Sequence, residues 1–447
     1  MKQREPVKAR LNKKPLGIVK TAMTARRNVL EIIPELALYQ PIVSGKAGSR
    51  FHMIMDPESL RHVLKDRVED YPKSLTTKLV LKPAIGNSLF VAEGAQWLWQ
   101  RRAVAPAFAH RHMQALGPVM SAAARASCRR LSEASGPVDI FAETVAATFE
   151  VISDVTLSGG DSFDRDTVHR NIEVYISETA KVSLLDVMAA PAWVPRLGRL
   201  FSGRKLAEMK RIADQTIAAR AARADREKVP DLLELLLDAE DPETGRAMTR
   251  AELRDNLLTF IVAGHETTAL TLAWALYLCA FDPEEQDRAA DEAASVLGDR
   301  IATVEDLPRL TLTTRIVNEA LRLYPPAALL LRTARVPDRL CGREVRAGDQ
   351  VMLPIYALHR NRQLWDQPDM FAPSRFETTP DRFAFLPFGA GPRICIGASF
   401  AMQEAVIILA TLLARFRFSS IADKDPQPRM ILTLRPHGGV WLNVERR

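Results

Sequence analysis

Apolar residues recur at spacings of three and four along most of the chain, so helices dominate the expectation. The pattern predicts helices over Gln96 to Ala109, Gly117 to Glu133, Phe141 to Leu157, Leu206 to Glu227, Pro230 to Ala239, Glu284 to Leu297, Leu310 to Tyr324 and Ala398 to Phe416. Leu257 to Phe281 differs in being apolar all round, with Glu266 as its one formal charge. That length could span a bilayer, but a mid-span carboxylate is costly there, and the flanks carry soluble-helix signals. Thr249 and Glu252 make a capping box ahead of it, and Asp282-Pro283 starts the next helix as N-cap and first-turn proline. The reading is one buried helix of about 30 residues through the centre of a domain. Strand signals are short. Arg50 to Met55 alternates, and Leu340 to Pro354 holds turns between short apolar runs. Ile431 to Leu434 and Val440 to Val444 flank Pro436-His437-Gly438-Gly439 and read as a hairpin. Asn361 to Phe388, with four prolines, reads as irregular coil. The fold class expected is mainly α with small β-sheets (α+β), in a single domain.

Composition narrows the class. Hydrophobic residues at 47% and charged residues at 26% exclude disordered, collagen-like and multi-span membrane chains. Cys128, Cys279, Cys341 and Cys395 lie far apart, which supports neither a disulfide framework nor a zinc ribbon. The net charge of +7 is concentrated at the start, where Lys2, Arg4, Lys8, Arg10, Lys13 and Lys14 face Glu5 alone. Such a segment can meet nucleic acid or anionic lipid. The reading preferred here is a flexible, solvated stretch over residues 1–20 ahead of a folded unit at 21–447, with no nucleic-acid partner. No apolar run follows the charges, so no secretory signal is read and the cytoplasm is expected.

The sharpest chemical signal is Phe388-Gly389-Ala390-Gly391-Pro392-Arg393-Ile394-Cys395-Ile396-Gly397. It is a glycine-punctuated loop that presents one cysteine just before a helix. The helix N-terminus stabilises negative charge on sulfur. Gly391 and Gly397 would let backbone approach a bulky object beside that sulfur, and Arg393 could meet an anionic group on it. A single thiolate so placed suits an axial iron ligand. A phosphate-cradling loop or an inert buried cysteine is the alternative, the former weakened because no Lys-Ser/Thr follows.

Phe388-x-x-Gly391-x-Arg393-x-Cys395-x-Gly397 resembles the haem-ligand signature of the cytochrome P450 family. Three further motifs occur in that family's order. Glu319-Ala320-Leu321-Arg322 resembles the ExxR motif, with Arg375 matching its third partner. Ala263-Gly264-His265-Glu266-Thr267-Thr268 resembles the oxygen-activation pattern. Trp97-Leu98-Trp99-Gln100-Arg101 resembles the WxxxR helix. His265 falls at a variable position and is read as structural or substrate-facing, not as a metal ligand.

The resemblance implies the single-domain P450 fold around a long central helix, with haem b as cofactor and Cys395 as its axial ligand. Phe388, Gly391 and Gly397 shape the loop. Trp97, Arg101, Arg332 and Arg393 meet the propionates, with Arg335 a nearby competitor for the role of Arg332. Glu319, Arg322 and Arg375 form a structural network, while Thr267 and Glu266 deliver protons to oxygen. It further implies a monooxygenase that uses O2 on a lipophilic small molecule such as a fatty acid, terpene or steroid-like compound. Electrons would come from a ferredoxin and its reductase, or a similar donor, docking on arginines such as Arg101, Arg102, Arg111 and Arg382. A monomer without a transmembrane anchor is expected. The pocket would draw on Ser74 to Glu93, Asn171 to Arg204 with the apolar Val182 to Val194, Phe260 to Gly264, Ala327 to Leu331 and the hairpin tip near His437. A peroxygenase or isomerase, or a haem protein without turnover, are the alternatives.

Overall fold

The computed structural model describes residues 5–14, 16–157, 203–222 and 231–447, with positions 167 and 170. The expected pocket stretch from Asn171 lies outside them up to residue 202, as do Val182 to Val194 and the end of the helix expected to reach Glu227. The helices that position the site are α1 Ile18–Arg27, α2 Pro57–Arg61, α3 Leu75–Ile85, α4 Gly94–Val104, α5 His110–Ala115, α6 Gly117–Glu133, α7 Ile140–Leu157, α8 Gly203–Ala221, α9 Leu232–Leu237, α10 Arg250–Phe281, α11 Pro283–Leu297, α12 Thr311–Leu323, α13 Ile355–Leu358 and α14 Ala398–Leu413.

Helix α10 is the long central helix, at 32 residues. The capping box forms as read, with Thr249 N donating to Glu252 and Glu252 N donating back to Thr249 Oγ1. From Leu270 to Leu278 its residues are almost all fully buried, because α7, α12 and α14 pack around it. An all-apolar circumference needs such a shell. No helix among the described residues is long and apolar enough to cross a membrane.

The strands are β1 Ile42–Ala47, β2 Ser49–Ile54, β3 Val138–Asp139, β4 Leu330–Thr333, β5 Asp338–Leu340, β6 Arg343–Val345, β7 Gln350–Leu353, β8 Phe416–Ser420, β9 Gln427–Met430, β10 Leu434–His437 and β11 Trp441–Arg446. They form small sheets in the order β1-β2-β7-β4, β3-β11-β8, β9-β10 and β5-β6.

The hairpin expected across Pro436 to Gly439 does not form. Leu434 instead pairs with Met430 across a tight turn, and β11 pairs with β8 and β3. Gly438 and Gly439 both have positive φ and carry the chain from one sheet to another. Two helices end earlier than expected. The aromatic-basic helix breaks at Val104 because Pro106 forces a 3₁₀ turn over Ala105–Phe108. Helix α14 stops at Leu413, and Phe416 opens β8.

The basic N-terminal segment also departs from the expected solvated stretch over part of its length. Val7 N donates to Tyr277 Oη at 3.1 Å, Ala9 N donates to Tyr356 Oη at 2.9 Å, and Tyr324 Oη donates to Val7 O at 2.6 Å. Lys8 reaches Asp369 at 3.1 Å. Backbone groups answering buried hydroxyls outweigh the local charge density here.

Candidate active site

The loop before α14 carries Cys395 into the wall of an internal cavity of about 450 Å³. Its shape is fixed by backbone. Cys395 N donates to Phe388 O at 2.9 Å, and Gly389 and Gly391 both take positive φ. A Cβ on Gly391 would lie 2.1 Å from Leu64 O, so this glycine is demanded by the neighbouring 62–66 turn rather than by an object at the sulfur. Gly397 is different, because a Cβ there would meet only Phe108, at 3.9 Å. It lines the cavity, and the open space beside the sulfur is on its side. Desolvation raises the Cys395 thiol, while the Gly397 N–H and the Arg101 charge act in the opposite sense by favouring thiolate.

Beneath the loop, Glu319 and Arg322 on α12 are fully buried and paired in a fork, at 2.6 and 2.7 Å. Arg322 also donates to the carbonyls of His359, Pro368 and Met370, and Ala372 N donates to Glu319 at 3.0 Å. The irregular, proline-rich coil is thus gathered onto one helix. Arg375 sits 3.5 Å from Glu319 as a looser third member and donates to Gln367 O. His359 closes the connection to the cysteine loop, since its Nε2 accepts from Leu386 N at 2.8 Å. Burial and then the Arg322 charge hold its pKa down to about 3. An unfolded histidine titrates near ~6.5. Stability from neutral His359 is therefore complete above that value and lost as pH falls toward 3, by up to about 1.4 kcal/mol per pH unit. Urea melts across pH 4 to 7 should show this slope, and His359→Gln should flatten it. Parallel slopes would mean that the folded protein protonates there.

The opposite wall is α10. Thr267 lines the cavity, and its hydroxyl donates to Ala263 O at 2.8 Å. Thr268 and Thr271 line it too, and both donate back to carbonyls one turn earlier. Such backward bonds loosen a helix locally. A Cβ on Gly264 would lie 3.1 Å from the Ile152 Cδ1, so a side chain there would have to push the α7 side chain aside by a few tenths of an ångström. Glu266 is buried and accepts from Thr433 Oγ1 at 2.7 Å and Arg435 Nε at 2.5 Å. It faces the β9–β10 turn and does not line the cavity. His265 is buried with Nδ1 2.8 Å from Ile261 O and its ring edge-on to Phe149. No cluster of metal-ligating side chains occurs among the described residues.

The remaining cavity wall is mostly apolar, from Val80, Leu81, Leu89, Phe90, Phe260, Ala327, Leu329 and Leu330, with Thr76, Thr77 and Thr259 among them. Met430, Ile431 and Leu432 close it, in place of the expected tip near His437. At one rim the character changes. Arg332 is buried and the Arg393 side chain is 8% exposed, and Arg332 Nε and Arg393 Nε and Nη1 have no hydrogen-bond partner. Arg393 pairs with Glu93 and lies over the Trp97 ring at 5.1 Å. Arg101 donates to Ile394 O at 3.1 Å. Arg335 lies outside the cavity lining, with its Nη1 on Glu69 O. A predominantly apolar cavity with one thiol on its wall and unanswered arginine N–H groups at its rim fits haem. Its carboxylates would meet Arg332 and Arg393, and its iron the Cys395 sulfur.

Of the arginines expected to form a docking face, Arg102 is committed elsewhere, to Asp241 at 2.7 Å through Nε and Nη2 and to Glu243 at 2.6 Å through Nη1. Arg101 faces the cavity, while Arg111 and Arg382 remain exposed. Lys73, Thr433, Arg435 and His359 were not read from the sequence as site residues. Each is recruited from an element distant in sequence, without a local pattern to mark it.

A family model described as "Cytochrome P450" matches residues 25–443. Carotene epsilon-monooxygenase of Arabidopsis thaliana is 30% identical, over 92% of this chain and 80% of its own length. Cyclooctat-9-en-7-ol 5-monooxygenase of Streptomyces melanosporofaciens is 32% identical, over 89% and 87%. The crystal structure of the cytochrome P450DA heme domain superposes with a TM-score of 0.80 at 27% identity, covering 91% of this chain and 90% of that one. With the helical fold, the cysteine loop and the cavity in agreement, the chain belongs to the cytochrome P450 family, as an oxidoreductase of the monooxygenase class with haem b as its cofactor.

Proposed function

We propose that this protein inserts one atom of O2 into a lipophilic small molecule of terpene or fatty-acid size, in the cytoplasm. The observation that carries this reading is the cavity itself. It joins the Cys395 thiol, the Thr267 hydroxyl and a predominantly apolar wall in about 450 Å³. The names of two relatives specify carotene and a largely hydrocarbon alcohol, which supports the same substrate class. When bound, haem with a thiolate ligand supplies the oxygen chemistry. The chain's own residues bind and orient. Val80, Leu81, Phe90, Phe260 and Leu329 exclude water from the substrate, and Thr267 holds a water at its hydroxyl as proton donor to oxygen. Glu266 is assigned the supply of protons toward that water, with Arg435 fixing its carboxylate. Glu319, Arg322 and Arg375 hold the loop that presents Cys395. Electrons are assigned to a ferredoxin with its reductase, met by Arg111 and Arg382.

A spectral binding screen over terpenes, steroids and fatty acids tests the substrate class. Micromolar shifts confined to polar or ionic compounds would sink it. A ferredoxin-driven assay run beside a peroxide-driven one separates the monooxygenase from a peroxygenase. Thr267→Ala leaves haem pocket and thiol in place and removes one hydroxyl. Product formed per reducing equivalent should fall about tenfold, with the electrons recovered as hydrogen peroxide and substrate binding unchanged. An unchanged ratio would move the water to Thr268 or to the substrate.

A further inference from the structure

A second hydrogen-bonded chain of functional groups lies away from the cavity, on the sheet β1-β2-β7-β4. Ser44 Oγ is 2.8 Å from His52 Nδ1, and His52 Nε2 is 3.1 Å from Asp349 Oδ2. None of the three lines the cavity. Strand pairing brings them together. Ser44 on β1 faces His52 on β2 in register, β2 runs beside β7, and Asp349 is the residue before β7. His52 is 3% exposed and Asp349 is buried, whereas Ser44 is exposed. A buried acid and imidazole thus end on a hydroxyl that solvent reaches.

The proton positions follow from the partners. Asp349 Oδ2 also accepts from Arg346 N at 2.8 Å and lies 3.2 Å from Arg50 Nε. A carboxylate among donors only accepts, so His52 carries its proton on Nε2. Its Nδ1 is then an acceptor, and the Ser44 O–H is its donor. Arg50 is itself fixed, since its Nη2 donates to Glu344 O at 2.9 Å.

The strand also supplies donors for a negative oxygen. Met55 N donates to Pro41 O at 2.8 Å. By the alternation of an antiparallel ladder, Ser44 and His52 are therefore a pair without mutual backbone bonds, with side chains close and backbone N–H groups turned away from each other. Strand β1 is the outer strand of its sheet, so the Ser44 N–H is directed at an open edge. Lys46 follows two residues on, exposed and on the same face, opposite Arg50.

We propose that Ser44 is a nucleophile toward small activated esters, with His52 as its general base and Asp349 positioning the imidazole. Ser44 Oγ bonds to the acyl carbon of an aryl ester as its proton passes to His52 Nδ1. The C–O bond to the phenol then breaks, and that proton leaves with the phenol oxygen. The Ser44 N–H and the Lys46 charge stabilise the oxyanion formed between these steps. Water, deprotonated by the same imidazole, hydrolyses the acyl-serine and restores the hydroxyl. No oxidant or cofactor enters, so this activity is independent of the haem reading.

The test is reaction of the full-length protein with p-nitrophenyl acetate and with a fluorophosphonate, which bonds to activated serines with loss of fluoride. Tandem mass spectrometry should place the phosphonyl group on Ser44, and p-nitrophenolate should be released by the wild-type protein. Ser44→Ala, a small change at an exposed position, should abolish both. His52→Ala should slow labelling of Ser44 about a hundredfold, the loss expected for general-base assistance, and imidazole in the buffer should restore it. Asp349→Asn should lower kcat for the ester with KM nearly unchanged. Labelling confined to residues other than Ser44 overturns the proposal. So does a Ser44 that labels equally fast in wild type and His52→Ala, because it is then an ordinary surface hydroxyl. If His52→Ala fails to fold, His52→Gln takes its place, and equal labelling again overturns the proposal.

Discussion

Glu319→Ala should leave little folded, haem-loaded protein. The substitution strips Arg322 of both carboxylate contacts at a fully buried site and takes the acceptor from Ala372 N. Breaking a buried pair by removing one partner costs about 3–5 kcal/mol, against a total stability of about 5–15 kcal/mol. The three carbonyls that Arg322 also binds belong to the coil leading to the cysteine loop. The loss therefore spreads beyond one helix. Arg375→Ala should cost less, because that side chain is partly exposed and meets Glu319 only at 3.5 Å. Soluble yield, the ratio of haem to protein absorbance and a urea melt measure the effect. A haem-replete Glu319→Ala protein melting like wild type would contradict the structural role of the network.

Cys395→Ser should abolish the red-shifted Soret band of the reduced, carbonyl-bound protein. Serine keeps the volume and the Phe388 backbone bond but offers a far weaker, more basic oxygen donor. Monooxygenase turnover should fall below detection, while fold and apolar binding survive, since the loop is held by backbone and by Leu386–His359. A persistent red-shifted band would place the ligand elsewhere. Among the remaining cysteines, Cys128 and Cys279 are buried, and Cys341 sits 3.1 Å from Ser59, so none lines the cavity.

What could be read in advance follows from how local each signal is. The central helix, its capping box and the Glu319–Arg322 fork are set by residues three or four apart, and spacing alone exposes them. The cysteine loop is equally local. Sheet partners are not. Pro436 to Gly439 has hairpin composition, yet β10 and β11 belong to different sheets, because strand choice depends on distant chain. The same holds for Glu266, whose Arg435 partner lies 169 residues on, and for Lys73, brought beside Arg332 by one bridge. Gly391 was legible as a glycine that must be glycine, but not for its actual reason, which is the Leu64 carbonyl.

The tyrosine contacts of the N-terminal segment set an order of events in synthesis. Val7 and Ala9 leave the ribosome well before their partners Tyr277, Tyr324 and Tyr356, which follow hundreds of residues later. At about 5–20 residues per second, the leading segment waits tens of seconds before its last partner exists. Within the segment itself, the lysines and arginines have Glu5 as their one acid. Charge repulsion within the segment then keeps it extended and out of premature contacts, until Asp369 and the three hydroxyls arrive to fasten it.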